Sequence, residues 1–237
     1  MNCRYGADYM GDSIMSKIKR LAAIKYGETF IHGAMAFRGG DPKVKIPISL
    51  IVYLIDTGER KILIDSGCET MPGYDLFNFS SPADTLQKAG IAPDEITDVI
   101  LTHAHHDHAE ATRRFPNAIV HIEGRAYPHA KCFIPDEMKV EIFQESKTVD
   151  GCITIKMIGG HSEGSCIVEF DYRDKKYVIC GDECYVRACL DEKIITGCSC
   201  CPRKSLEFLQ KYGNGEYVTL LAHDYEILTG QNGVAEL

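Results

Sequence analysis

Apolar positions along the chain fall into short runs broken by turn residues, with helical spacing in only a few places. Residues 48–55 (ISLIVYLI) form an almost unbroken apolar, largely β-branched run, which predicts a strand buried on both faces. Thr57-Gly58-Glu59-Arg60 reads as a turn, and residues 61–65 (KILID) return as the second strand of a hairpin. Ser81-Pro82 opens a helix that runs to about Ala89, with Ser81 as N-cap, Pro82 at the first position and Gly90 as the stop. Residues 98–102 (DVILT) and 118–121 predict short strands, and residues 123–130 a short helix. Residues 152–158, 166–172 and 176–180 predict three further strands. Residues 202–212 have helical spacing, with Leu206 and Leu209 expected to face inward, and residues 217–222 end a last strand at His223. Strands mixed with helices, and hairpins beside strand–helix units, predict an α/β fold in which two mixed β-sheets form a sandwich covered by helices.

Composition narrows what such a sandwich can do. The chain has 237 residues, 45% of them hydrophobic, enough for a sizeable core. No internal repeat or Pro/Gly/Ser-rich linker divides it. Residues 17–237 are therefore expected to form a single domain behind a flexible, polar, glycine-bearing segment at residues 1–16. A net charge of −8 argues against nucleic acid and anionic lipid as partners and favours a small-molecule substrate. The 11 cysteines are odd in number and irregularly spaced, as expected of reduced thiols in the cytoplasm. No run of about 18 apolar residues predicts a membrane-spanning helix, and the N-terminus lacks the pattern of a signal peptide.

The chemistry is concentrated at Thr102-His103-Ala104-His105-His106-Asp107-His108, directly after a predicted strand. A strand end on a rigid scaffold can converge several side chains on one point. Imidazole and carboxylate together suit zinc, iron or manganese. A histidine-rich loop that binds nothing is the bland alternative, and three later features weigh against it. His161 stands in the glycine-flanked turn Gly159-Gly160-His161, Asp182 follows the strand ending at Cys180-Gly181, and His223 ends the last strand. Each alone is ordinary; their joint occurrence in this order is not.

The pattern H-x-H-x-D-H followed by separate His, Asp and His resembles the metallo-β-lactamase superfamily, over residues 101–224 and with the hairpin at residues 48–65 also fitting. The resemblance implies an αβ/βα four-layer sandwich with the site at the edge between the two sheets. It implies two divalent ions per chain, zinc first with iron or manganese as alternatives. His103, His105 and His161 would hold one, Asp107, His108 and His223 the other, and Asp182 would bridge them. Two such ions share a water and lower its pKa, producing a hydroxide that attacks a carbonyl, while Asp107 carries the proton to the leaving group.

Within the superfamily, His105 in place of Glu argues against the di-iron oxygen reductases. The chain also ends at Leu237, soon after His223, where hydroxyacylglutathione hydrolases append a helical domain. Asp182 argues against true β-lactamases, which lack the bridging carboxylate. The sequence most resembles the N-acyl-homoserine lactonases, which share the Pro-then-apolar hairpin at residues 47–65 and a tyrosine three residues after the bridging aspartate, here Tyr185. By that resemblance Tyr185 donates a hydrogen bond to the carbonyl oxygen or the leaving alkoxide; simple packing is the alternative. A lactone or other ester is the expected substrate. A thioester hydrolase and a mononuclear iron sulfur dioxygenase of the same fold are the competing readings, and a homodimer is compatible with the sequence.

Some residues depart from the lactonase pattern. His106 stands where lactonases often have an aromatic and is expected to line the pocket without binding metal. Glu110 is read either as a solvated charge or as a residue narrowing the pocket mouth. The glycine-rich stretch at residues 30–45 is expected to be a loop walling the pocket with Met35 and Phe37. Cys198-Ser199-Cys200-Cys201 is read as a reduced loop, because adjacent cysteines do not easily share one tetrahedral ion.

Overall fold

The computed structural model describes residues 17–228 and 232–237; the flexible segment expected at residues 1–16 lies outside them. The chain enters as β1 (Arg20–His32), makes the single-turn helix α1 (Gly33–Ala36) and returns antiparallel as β2 (Lys45–Asp56) and then β3 (Lys61–Ile64). Three parallel steps follow: α2 (Pro82–Lys88) leads to β4 (Asp98–Ile100), α3 (His106–Ala109) to β5 (Ile119–Glu123), and α4 (Tyr127–Ala130) to β6 (Val140–Phe143). The second sheet is a meander of β7 (Ser146–Val149), β8 (Ile153–Met157), β9 (Cys166–Tyr172) and β10 (Lys175–Ile179). Helices α5 (Arg187–Glu192) and α6 (Pro202–Tyr212) then carry the chain to β11 (Tyr217–Leu220), parallel to β10. Finally β12 (Gly233–Glu236) pairs with β1, giving a seven-stranded sheet in the order β12-β1-β2-β3-β4-β5-β6 beside a five-stranded sheet β11-β10-β9-β8-β7.

Side-chain alternation explains why two sheets face each other. Along β2, Ile51, Tyr53 and Ile55 join Ile153, Ile155, Val168 and Phe170 in the core between the sheets. Their neighbours Leu50, Val52 and Leu54 join Leu86, Val99 and Phe115 on the outer face. Beyond the second sheet, Ile167 and Val178 pack against Phe208, Leu209 and Tyr212 of α6. Both faces of β2 are buried, as its unbroken apolar run requires. The predicted helix start is also found: the Ser81 hydroxyl accepts from the Asp84 N–H at 3.2 Å, and Gly90 adopts a φ of +81°.

Three expectations are corrected. Residues 30–45 are not one loop, because Phe30 and His32 belong to β1 and Lys45 to β2, with α1 between. β1 escaped the pattern because Lys25, Gly27 and Glu28 interrupt its alternation; the buried Lys25 ammonium satisfies itself on Glu28 and on the Leu228 carbonyl at 2.8 Å. Leu206 does not face inward: it is 41% exposed, and the buried face of α6 is Ser205, Phe208, Leu209 and Tyr212. The helix expected over residues 123–130 shortens to α4, because β5 keeps its ladder with β6 through Glu123.

Candidate metal centre

All of the expected ligands stand just beyond strand ends. β4 delivers His103; His105 caps α3, whose first turn holds Asp107 and His108. His161 lies in the β8–β9 loop, Asp182 in the short helical turn Gly181–Glu183 after β10, and His223 just past β11. The structure brings these seven side chains together in two groups: His103, His105, His161 and Asp182, and Asp107, His108 and His223. Within each group the donor atoms lie within 4.8 Å of one another. The carboxylate of Asp182 divides between the groups. Its Oδ2 is 3.5 Å from His103 Nε2 and 3.4 Å from His161 Nε2, while its Oδ1 is 3.0 Å from His108 Nε2 and 3.1 Å from His223 Nε2.

The imidazoles are oriented from behind. His223 Nδ1–H donates to the Ser49 carbonyl at 3.0 Å, and His108 Nδ1–H to Asp65 Oδ2 at 2.8 Å. Thr102 gives its hydroxyl proton to the same Asp65 oxygen at 2.9 Å, so it accepts from His103 Nδ1–H at 3.1 Å. Each ring is thereby held with Nε2 aimed at the centre, where the neutral imidazole offers its lone pair. His103 Nε2, His108 Nε2 and Asp182 Oδ1 are buried and have no hydrogen-bond partner among the described residues. Orphaned buried polar atoms cost about 1–3 kcal/mol each, and a divalent cation in each donor group would satisfy them. The residues present therefore fit a metal, by donor chemistry and by what they lack.

Electrostatics point the same way. Burial pushes His103 down to about 4 and His161 to about 3, so both are neutral at ordinary pH. Burial also opposes charge on His108 and His223, yet the carboxylates outweigh it and raise both above the usual histidine range. Asp182 stays well below the usual carboxylate range; burial opposes this, and the surrounding imidazoles, led by His108 and His223, overcome it. The site is a negative well that attracts positive charge.

Above the donors lies a cavity of about 420 Å³. Its floor includes His105, Asp107, Asp182 and His223, and its wall Ile31, Met35, Ile48, Met71 and Tyr74. Tyr185 lies at the junction: its ring meets those of His161 and His223 edge-on, with centroids 5.7 and 5.4 Å away. Burial and the charge of Asp182 raise its pKa well above 10, so the hydroxyl keeps its proton. His106 also lines the cavity, held by a 2.8 Å hydrogen bond to the Thr70 carbonyl and standing outside both donor groups. Phe37 does not reach it. That ring packs half-buried against the outer cores of both sheets, because the chain leaves α1 extended and turns it inward. Glu110 meets neither expectation: it is 6% exposed, accepting from the Glu69 N–H at 2.6 Å and pairing with Arg113.

Sequence reasoning missed Asp65, Cys198 and Glu183. Asp65 carries a signal, being a carboxylate that ends an apolar strand, here at a φ of +60°; its partners Thr102 and His108 are remote in sequence. Cys198 lines the cavity, whereas Cys200 and Cys201 use their backbone N–H groups to hold the His161 and Gly160 carbonyls at 3.1 and 2.9 Å. No described donor group contains a cysteine. No described helix is long and apolar enough to cross a membrane.

Several solved structures share this architecture. An N-acyl homoserine lactone hydrolase with N-hexanoyl-L-homoserine bound at its catalytic metal centre superposes with a TM-score of 0.77 at 18% identity, over 91% of this chain and 97% of its own. A probable metal-dependent hydrolase from Staphylococcus aureus gives 0.74 at 19% identity, over 94% and 97%. A dizinc quorum-quenching lactonase in complex with a product gives 0.69 at 17%, over 89% and 91%. At these identities the likeness speaks for the fold. No curated protein matches the sequence. The model of the metallo-beta-lactamase superfamily matches residues 52–197, more than half of the chain and the stretch that carries most of the converging donors. This chain therefore belongs to the metallo-β-lactamase superfamily.

Proposed function

We propose that this protein is a metal-dependent hydrolase that works with two divalent cations, zinc in the first instance, and opens a lactone or related ester. The observation that carries the reading is the division of Asp182, with one oxygen turned to each donor group. His103, His105 and His161 would hold one ion, Asp107, His108 and His223 the other, and Asp182 would serve both. Bound there, the cations supply Lewis acidity and lower the pKa of a shared water from 15.7 towards about 7.

The rest falls to the chain's own side chains. Asp107 lines the cavity with its side chain 16% exposed, its Oδ2 3.8 Å from His108 Nε2 and 3.7 Å from His223 Nε2. From there its carboxylate orients the attacking water, takes its proton and returns it to the leaving alkoxide. Tyr185, protonated and facing the same space, donates to the carbonyl oxygen or to that alkoxide. The apolar wall from Ile31 to Tyr74 excludes water and suits an acyl chain. Lactonases among the similar folds support the same substrate class. The second donor group supports two ions over the single iron of a dioxygenase.

A panel of lactones, esters and thioesters should be run anaerobically on protein of measured metal content. Lactone opening at two metals per chain is expected. Oxygen uptake with a persulfide at one iron per chain, or turnover of thioesters alone, would overturn the reading.

A further inference from the structure

His161 stands on a loop with no regular structure of its own, flanked by Gly159 and Gly164 at positive φ. A metal ligand on such a loop is useful only if its backbone is held. Glu183 holds it. This carboxylate is 1% exposed, and its Oε1 accepts from the Gly160 N–H at 3.0 Å, the His161 N–H at 3.2 Å and the Ser165 hydroxyl at 2.5 Å. Glu183 is also the residue after Asp182, whose Oδ2 lies 3.4 Å from His161 Nε2. One peptide unit thus joins a carboxylate that faces the ring of His161 to a carboxylate that grips its backbone.

We propose that Glu183 is a positioning residue for the donor group of His103, His105 and His161, fixing the separation between His161 and Asp182. This rests on the two-metal reading above. Burying a carboxylate is expensive, and three donors on one oxygen offset part of that cost. Oε2 is buried with no hydrogen-bond partner among the described residues, so stability alone accounts poorly for an ionisable side chain here. The same oxygen explains Gly160. A Cβ at that position would stand 2.3 Å from Oε2 and 2.5 Å from Ser205 Oγ, forcing the loop off its anchor. On the far side, the Ser199 hydroxyl and the Cys201 N–H hold the Gly160 carbonyl at 3.0 and 2.9 Å. The loop is thereby clamped between the Asp182 turn and the start of α6.

The test is titration of metal-free, full-length protein with Co²⁺ alone, following its visible d–d bands and the bound stoichiometry. Wild type should take two equivalents. Glu183→Ala should weaken one of them by about 10–100-fold, with altered bands for that equivalent, and leave the other unchanged. Glu183→Gln should restore wild-type binding, since its amide oxygen keeps all three donors and no donor is lost at Oε2. Gly160→Ala, which displaces the loop with Glu183 intact, should repeat the alanine result and serves also if Glu183→Ala fails to fold. Leu209→Ala, which loosens the outer core of the second sheet and removes none of the Glu183 hydrogen bonds, should lower stability without weakening either equivalent. Wild-type binding by Glu183→Ala, a Gln variant as weak as Ala, or equal weakening by Leu209→Ala would each overturn the proposal. Failure of wild type to bind cobalt would instead overturn the two-metal reading beneath it.

Discussion

Asp182 and Tyr185 are three residues apart and serve different stages of the proposed reaction. Asp182 is 4% exposed and is the carboxylate that faces both donor groups. Asp182→Ala leaves buried imidazoles without their shared counter-charge. It is expected to bind fewer than two metals per chain and to lose hydrolysis along with the pairing, which metal analysis and the substrate panel check together. Tyr185 touches no donor group except through ring edges. Tyr185→Phe should keep both metals and slow turnover by about 10²-fold, the usual effect of removing one donor to developing negative charge. An unchanged kcat at full metal content removes Tyr185 from the mechanism. Asp107 was legible as a candidate because it sits inside a contiguous cluster. Asp65 was not, because its hydrogen bond to His108 joins residues 43 positions apart.

Among the elements, α6 shows how spacing can be read one step off. Its amphipathic period was clear from the sequence, but its burial on the second sheet falls on Phe208 and Leu209, leaving Leu206 outside. Leu209→Ala should cost about 2–5 kcal/mol in urea unfolding, and Leu206→Ala less than about 0.5 kcal/mol. Equal losses would mean that the helix is rotated from the position described. A second element-level prediction concerns the passage from β6 to β7, where the chain changes sheets. Glu141 on β6 bonds Lys147 on β7 at 2.5 Å and Lys139 at 3.0 Å, and these ammonium groups hold its carboxyl at about 2. A depressed carboxyl stabilises the fold fully above its unfolded pKa, here about 4.5, and progressively less as pH falls towards 2. The side chain is a third exposed, so solvent screening keeps the pair below about 1 kcal/mol. Glu141→Gln should therefore be slightly less stable than wild type at pH 7, with the gap shrinking at pH 3. A gap that grows on acidification would contradict the ion pair.

For the whole molecule, metals and stability are linked. The orphaned buried atoms of His103, His108 and Asp182 belong to the folded state alone, so a cation that satisfies them stabilises that state. With free metal 100-fold above its dissociation constant, each site adds about 2.7 kcal/mol. In a chain of this length that is on the order of 5–10 °C in unfolding temperature per site. Chelation should lower the transition by about that much per ion, and added Zn²⁺ should restore it; an identical transition with and without metal would count against the centre. The sequence by itself named the residues that converge and the hairpin of β2 and β3, because the histidine cluster and the apolar runs lie within contiguous stretches and the later His, Asp and His each follow a strand. It also carried the sandwich class, through strands that are apolar on one face or both. Only the tertiary structure decided which oxygen of Asp182 faces which group, that Asp65 and Glu183 stand behind the ligands, and that Met35 reaches the cavity while Phe37 turns away. Those outcomes depend on how segments distant in the chain pack against one another. β1 was hidden for the same reason: Lys25 and Glu28 read as polar interruptions until folding pairs them.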